Sequence, residues 1–413
     1  MRVLIPLHQI TTWAGGMDLC RTIVDVLKSA AQRHPLELVF ALSAQRDTKT
    51  PVSAELARLT DEMTQGARVM HCSGDGRELM RAAVDADAQI IFPTITPIRG
   101  SHVRKIGYIY DFQHLDLPEL FTIEECDRRS QTFLDLIEKS DAMFCTSEFV
   151  ATGITLGLGV PKERVLVLPF LPHADAAWFD TDIGAAQARH GVGSSYLIVC
   201  NHFWVHKDHA TVLHAFAQVR SSGAHDGLRL VMTGDTRDFR DPNHFGKLEA
   251  AMRELGIAEH CHVLGLIPKP EQIALLRGAL AMVQPTRYEG SPGGMSTFQA
   301  AGLGVPALLS DIDVNREAQG AGIRHFRFGD AARVDEAFAR AAHVAKPGMK
   351  SVVHRYSPCV FRYISEIDIS KMHRVKGRDA DGLGLTRRVW ARHLRFTNFR
   401  SATDGRRVGV SEG

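Results

Sequence analysis

The run Leu36 to Leu42 is apolar at nearly every position, which suits a strand covered on both faces rather than one with a wet side. Such runs recur along the chain, each followed by a stretch whose apolar residues fall at helical spacing. Arg2 to Leu7 is the first, and Met17 to Ala31 follows it with Leu19, Cys20, Ile23, Val24 and Leu27 on one face. The alternation continues through a helical stretch near Val52 to Gln65, a strand at Arg68 to His71, a helix around Glu78 to Val84 and a strand at Gln89 to Phe92. Lys105 to Tyr110 and Asp141 to Cys145 are further strands. Between them Thr122 to Lys139 reads as a helix with Thr122 as N-cap and Glu124 and Glu125 in its first turn. Arg164 to Phe170 closes this half.

The pattern restarts at Tyr196 to Cys200 and runs through strands at Leu228 to Met232, His262 to Leu266, Ala281 to Val283 and Ala307 to Leu309. A last strand is expected near His325 to Phe328, and a helix around Val334 to Val344. At 413 residues the chain exceeds the size at which one core stops growing, so two domains are expected. The expected boundaries are a first Rossmann-like domain over 1–172, a linker over 173–194, a second Rossmann-like domain over 195–350, and a crossing helix with a basic tail over 351–413. The fold class is α/β, two mostly parallel sheets with right-handed crossovers.

A formal charge of +2 gives no global reason to propose nucleic acid as a partner. The tail from Ser351 holds 13 Lys and Arg against 6 Asp and Glu, leaving +7 there and −5 in the preceding residues. Interspersed with Trp390, Phe396 and Phe399, that basic stretch offers anionic phospholipid charge plus aromatic anchors; the plainer reading is a solvated tail. Seven scattered cysteines without a CxxC pair read as reduced. No secretory stretch and no run of roughly 20 apolar residues is present. The expected location is cytoplasmic, with a peripheral position on the inner face of the membrane left open.

In doubly wound sheets ligands sit beyond the C-terminal ends of strands. The residues placed there are Gly15 and Gly16, Asp111 and His114, Ser147, His202 and Lys207, Gly234, and Glu289. Two such walls make a cleft suited to a two-substrate enzyme that closes on its ligands. Lys207 at a helix start is odd on dipole grounds unless an anion accompanies it; the bland reading is a solvated lysine. Glu289 precedes the turn Ser291-Pro292-Gly293-Gly294 and can accept hydrogen bonds from sugar hydroxyls or from the turn itself. Asp111 and His114 could act on or hold a reacting group, although a lone His is more often structural. Ser147 suits a helix cap. Asp311-Ile312-Asp313 resembles a metal-binding DxD pair but is placed in the terminal strand without other ligands, and no metal is assigned.

With Glu289, Gly304 and Pro306 in view, the chain resembles the retaining GT-B glycosyltransferases of family four, the bacterial glycosyl transferases group 1. The resemblance is carried by Asp111 to Leu115 with Pro118 to Phe121, by Asn201, Phe203, Trp204, His206 and Lys207, by Glu289-Gly290 and Gly293-Gly294, by Ala301 to Pro306 and by Ser310-Asp311-Ile312. It implies GT-B architecture and a nucleotide-sugar donor, UDP-, GDP- or ADP-linked, bound mainly by the second domain, with no tightly bound cofactor. A saccharide or lipid-linked acceptor would sit on the first domain. Lys207 would hold the diphosphate, Glu289 the donor sugar, and His114 the sugar from the opposite wall; Gly15 and Gly16 would let their loop approach the phosphates. His202, Gly234, Gly290, Gly293, Gly294 and Gln299 fall on the donor side, and Asp111 and Ser147 line the pocket.

Two departures stand out. The family's second glutamate falls at Gln299, with nine residues between it and Glu289, and its Arg falls at His202 or passes to another cation. Other readings on the same scaffold are a nucleotide-sugar epimerase, a phosphorylase, or a non-enzymatic sugar-nucleotide-binding protein. The first two would need a carboxylate constellation or a cofactor lysine, and neither is found.

Overall fold

The computed structural model describes residues 1–326 apart from 10–13, 33, 44–50, 101, 171–175, 222, 224–226 and 321, and leaves out the side chains of residues 8, 14, 51, 52, 55, 176 and 177. The helix expected around Val334 to Val344 and the whole basic tail lie outside the described residues.

The first half runs β1 (Arg2–Pro6), α1 (Ala14–Ala31), β2 (Glu37–Leu42), α2 (Pro51–Thr64), β3 (Arg68–His71), α3 (Gly76–Asp85), β4 (Ile90–Thr94), β5 (Arg104–Tyr108), α4 (Gln113–Asp116), α5 (Ile123–Lys139), β6 (Ala142–Cys145), α6 (Glu148–Thr152) and β7 (Val165–Val167). Its strands form one parallel sheet in the order β3-β2-β1-β4-β5-β6-β7. The second half runs α7 (Ile183–Arg189), β8 (Tyr196–Cys200), α8 (His209–Ser221), β9 (Arg229–Thr233), α9 (His244–Glu254), β10 (Cys261–Gly265), α10 (Lys269–Gly278), β11 (Ala281–Gln284), α11 (Gly294–Gly302), β12 (Ala307–Ser310) and β13 (Ile323–Phe326). These strands form a parallel sheet in the order β10-β9-β8-β11-β12-β13.

Consecutive apolar residues explain both sheets. Val3, Ile5 and Phe40 face the core that includes Leu19 and Ile23 of α1, whereas Leu4, Val39 and Ala41 face the core of Leu79 and Ala83 of α3. In the second sheet Leu197 and Val199 pack with Val212 and Phe216 of α8, and Tyr196 and Ile198 with Ile273 and Leu276 of α10. Each such side chain contributes about 1.5–3 kcal/mol, and both faces of a strand are rewarded alike. Trp178, Ala186 and Val192, from the stretch expected as a linker, are part of that last core.

The halves meet tightly. Met295 and Phe298 of α11 pack on the core of the first sheet, and the Phe298 ring lies 5.7 Å from Phe170. α5 begins with a capping box between Thr122 and Glu125, as the sequence suggests. Two local expectations need correcting. Gly15 and Gly16 fall in the first turn of α1, not in the loop before it, because the helix starts at Ala14. β13 overlaps the strand expected near His325 to Phe328, whose last two residues lie outside the described ones. Asp311 and Asp313 follow β12 in a loop rather than a strand, and both accept from Arg316, at 2.7 and 2.9 Å.

Candidate active site

The second sheet reverses its strand order at β8, which lies between β9 and β11. Loops leaving β8 and β11 therefore diverge and leave a crevice between them. Lys207 is on the first loop and Glu289 on the second. At the strand ends Asn201 donates from Nδ2 to Gln284 Oε1 at 2.5 Å, and Gln284 donates from Nε2 to Glu289 Oε1 at 2.8 Å. Lys207 Nζ completes the chain with an ion pair to the same Glu289 oxygen, each side chain 12% exposed. The pair is held in place by the backbone. The Lys207 N–H donates to the Trp204 carbonyl at 2.8 Å, Asp208 turns the chain through a left-handed conformation at φ 48°, and the Arg287 N–H ties the second loop to the His206 carbonyl at 2.7 Å.

The facing wall is the end of β5. Asp111 accepts from Arg129 Nη2 at 2.9 Å and from the Gln113 N–H at 3.0 Å. Burial pushes its carboxyl upward, against the pull of Arg129. His114 is 1% exposed, beside Phe121 and Phe133, with Nε2 3.2 Å from Ser130 Oγ. Burial, with Arg129 nearby, presses its imidazole down to about 3, so it is neutral at ordinary pH.

Hydrogen bonds close the walls on each other. The Phe112 N–H donates to Tyr288 OH at 2.8 Å, Ser147 Oγ donates to the Gly290 carbonyl at 2.8 Å, and Thr146 and Ser291 share a hydroxyl contact at 2.5 Å. Glu317 accepts the Glu148 and Phe149 N–H groups at 2.9 and 2.7 Å, although it belongs to the other half. Ser147 also caps α6 through the Val150 N–H.

Several expected donor-side residues have internal duties here. Gly290 is needed because a Cβ there would lie 2.0 Å from the Tyr110 carbonyl oxygen, so its bare backbone serves the approach of the halves. Gly234, at φ 141°, lets its chain pass the Asn201 carbonyl. The turn before α11 is less open than four free N–H groups would make it: Gly293 donates to Asn315 Oδ1 at 2.7 Å and Gly294 to the Ser291 carbonyl at 3.2 Å. Gly294 itself lies above Glu289. His202 accepts the Asp235 N–H through Nδ1 at 3.0 Å and lies against Trp204; burial and Lys207 lower its pKa. It is therefore no substitute for a guanidinium. Gln299 does not stand free for a ribose: it accepts from Lys269 Nζ at 3.0 Å and donates to Asp18 Oδ2 of the first half at 2.9 Å.

The structure thus brings Lys207, Glu289 and Gly294 together, sets Asp111 on the opposite wall, and leaves Gly15 exposed on α1. Arg129, Tyr288 and Arg240 belong to the same cleft and were not singled out in the sequence. The hint for Arg240 was the length of the polar segment after Thr233-Gly234-Asp235, more than a strand-to-helix turn needs.

Residues 185–343 match the family model described as Glycosyl transferases group 1. That domain contains the Lys207 and Glu289 loops. Among solved structures, a glycosyltransferase from Rickettsia africae aligns with a TM-score of 0.58 at 10% identity, covering 98% of this chain and 99% of that one. Anabaena HepE in complex with UDP and glucose aligns with a TM-score of 0.57 at 11% identity, over 97% and 99% of the two chains. Sucrose-phosphate synthase from Thermosynechococcus elongatus aligns at 0.59 and 13% identity, over 97% and 99%. The fold is GT-B. No curated protein sequence gives a significant match.

Proposed function

We propose that the protein is a glycosyltransferase that moves a sugar from a nucleotide-sugar donor to a saccharide or lipid-linked acceptor, with retained anomeric configuration. The observation that carries this reading is the Lys207–Glu289 pair at the crevice where the second sheet reverses, beside the Phe112–Tyr288 bond that joins the two halves. Support comes from the Glycosyl transferases group 1 match over that half and from HepE, whose structure holds UDP and glucose on the same fold.

In this proposal Lys207 exchanges part of its contact with Glu289 for the donor pyrophosphate. As the bond from the anomeric carbon to phosphate oxygen breaks, negative charge grows on the phosphate and the fixed ammonium stabilises it. Glu289, oriented by Gln284, accepts from a hydroxyl of the donor sugar. The acceptor oxygen attacks from the face that the phosphate leaves, and its proton passes to the departing phosphate oxygen, which balances the step without a protein nucleophile. His114, neutral and fixed on the first wall, acts by shape and hydrogen bonding rather than charge. Closure of the walls keeps water from the activated sugar.

The test is incubation of the full chain with UDP-, GDP- and ADP-sugars and extracted lipid-linked acceptors. Nucleoside diphosphate release is followed by chromatography and the product's anomeric configuration by NMR. Lys207→Ala should lower turnover by about 100-fold or more, as expected for loss of a charged transition-state contact. Full turnover in that variant, or no release from any donor, overturns the reading.

A further inference from the structure

We propose that Arg240 is the second phosphate-binding cation of this cleft and takes the donor pyrophosphate together with Lys207. The inference rests on the glycosyl-transfer reading and adds to it a residue from a different element.

Arg240 lies between β9 and α9. Asp238, wholly buried, joins this segment to the Lys207 loop: its carboxylate accepts the Val205 N–H at 2.9 Å and the Arg240 N–H at 3.0 Å. The Arg240 guanidinium then reaches into the cleft, its side chain 11% exposed. It sits 4.9 Å from the Phe121 ring of the first half, 5.7 Å from Trp204 and 4.7 Å from Phe239. Nη2 approaches Gln113 Oε1 of the first half at 3.4 Å. Nε and Nη1 are enclosed and have no hydrogen-bond partner among the described residues, and the Asp238 oxygen nearest Nη1 is 4.0 Å away.

That arrangement is unfavourable unless a ligand answers it, because buried N–H groups on a cation lose their water without replacement. Lys207 and Arg129 each hold a close carboxylate, Glu289 for the first and Asp111 for the second. Arg237, three residues earlier in the same segment, makes two bonds to Asp235 at 3.0 and 2.8 Å and is 85% exposed. Among the described arginines of the cleft, Arg240 has two enclosed nitrogens without a hydrogen-bond partner and its nearest carboxylate oxygen 4.0 Å away, whereas Arg129 leaves Nε alone unpartnered and bonds Asp111 at 2.9 Å.

The chemistry favours a phosphate. A guanidinium presents parallel N–H groups that fit two oxygens of one phosphate. Position 202 holds an imidazole whose Nδ1 is an acceptor, so it brings no charge. One lysine alone would then face a multiply charged pyrophosphate. Asp238 ties the Arg240 segment to Val205, two residues before Lys207, so the two cations leave neighbouring segments of the same strand-end edge. A ligand entering the opened cleft would meet both.

The experiment is titration calorimetry of the full chain with UDP, GDP and ADP and with uridine, guanosine and adenosine, for the native protein, Arg240→Gln, Arg240→Lys and Arg237→Gln. For whichever diphosphate binds the native protein, Arg240→Gln should weaken binding by about 10- to 100-fold, the span of a lost charge-assisted pair. The matching nucleoside should bind within about 3-fold of native, Arg240→Lys should recover part of the loss, and Arg237→Gln should bind like native. Equal loss for nucleoside and diphosphate would mean that Arg240 only shapes its segment, which overturns the proposal. Native-like diphosphate binding by Arg240→Gln also overturns it, while leaving Lys207-dependent transfer intact; failure of every diphosphate to bind the native chain removes the donor reading as well.

Discussion

Adding one methyl group at Gly290 should hold the two walls apart. The Cβ of Gly290→Ala would sit 2.0 Å from the Tyr110 carbonyl oxygen, whereas real Cβ atoms essentially never come within 3.0 Å, so the backbones must separate by about 1 Å. Tyr110 lies just past β5 and Gly290 is fixed by Ser147, which leaves little freedom to absorb the shift locally. The same displacement stretches the Ser147–Gly290 bond of 2.8 Å, the Phe112–Tyr288 bond of 2.8 Å and the Thr146–Ser291 contact of 2.5 Å beyond useful range. At about 1 kcal/mol for each of these bonds the closed state loses roughly 3 kcal/mol, more than a 100-fold change in its population relative to open forms. Each half keeps its own sheet and core. Hydrogen exchange should therefore show a selective loss of protection at the Phe112 amide, with native protection at β1 and β8 amides, and transfer should slow by a similar factor. Native protection at Phe112 together with native turnover would refute the reasoning.

The remaining predictions concern charge. His209 is buried, stacked on Phe203 at 4.3 Å, with both ring nitrogens lacking hydrogen-bond partners among the described residues, and burial presses its pKa to about 3. The folded chain then binds fewer protons than the unfolded one between the ordinary histidine value and about 3, so stability is full above that window and falls as pH drops through it. His209→Phe should keep the stack, remove this contribution and raise the melting temperature at pH 5 relative to native by more than at pH 8; an identical difference at the two pH values would contradict it. Gln299→Glu places a carboxylate against Asp18 while strengthening its attraction to Lys269. Gln299 is 5% exposed, so the added charge should lower the unliganded stability at pH 8 by about 1–3 kcal/mol, and 0.5 M salt should recover little of the loss; a loss that salt largely abolishes would mean that the new carboxylate is solvated.

The two sheets were legible because strands covered on both faces carry apolar side chains at every position, as in Leu36 to Leu42, and that pattern has few other homes. The loops leaving β8 and β11 were legible for a related reason: Lys207 and Glu289 directly follow apolar runs, and chain topology puts such ends on one edge. What escaped were contacts between distant segments. Arg240 meets Phe121 and Gln113 across more than a hundred residues, and nothing local distinguishes it from the exposed Arg237. Gln299 could be aligned, but its engagement with Asp18 depends on how α11 lies against α1. Gly290 looked like a ligand-approach glycine because space for a ligand and space for a neighbouring backbone leave the same mark in a sequence.

Glu317 gives the architecture a further consequence. Its carboxylate supplies the opening amides of α6 with their acceptors from the opposite half, so that short helix is finished by a residue more than 160 positions downstream. A fragment ending before β8 would begin α6 with two bare donors. Anyone recombining halves from different proteins of this architecture to change donor or acceptor would have to carry the 147–149 turn and residue 317 as one inherited unit, or else graft a replacement cap within the fragment.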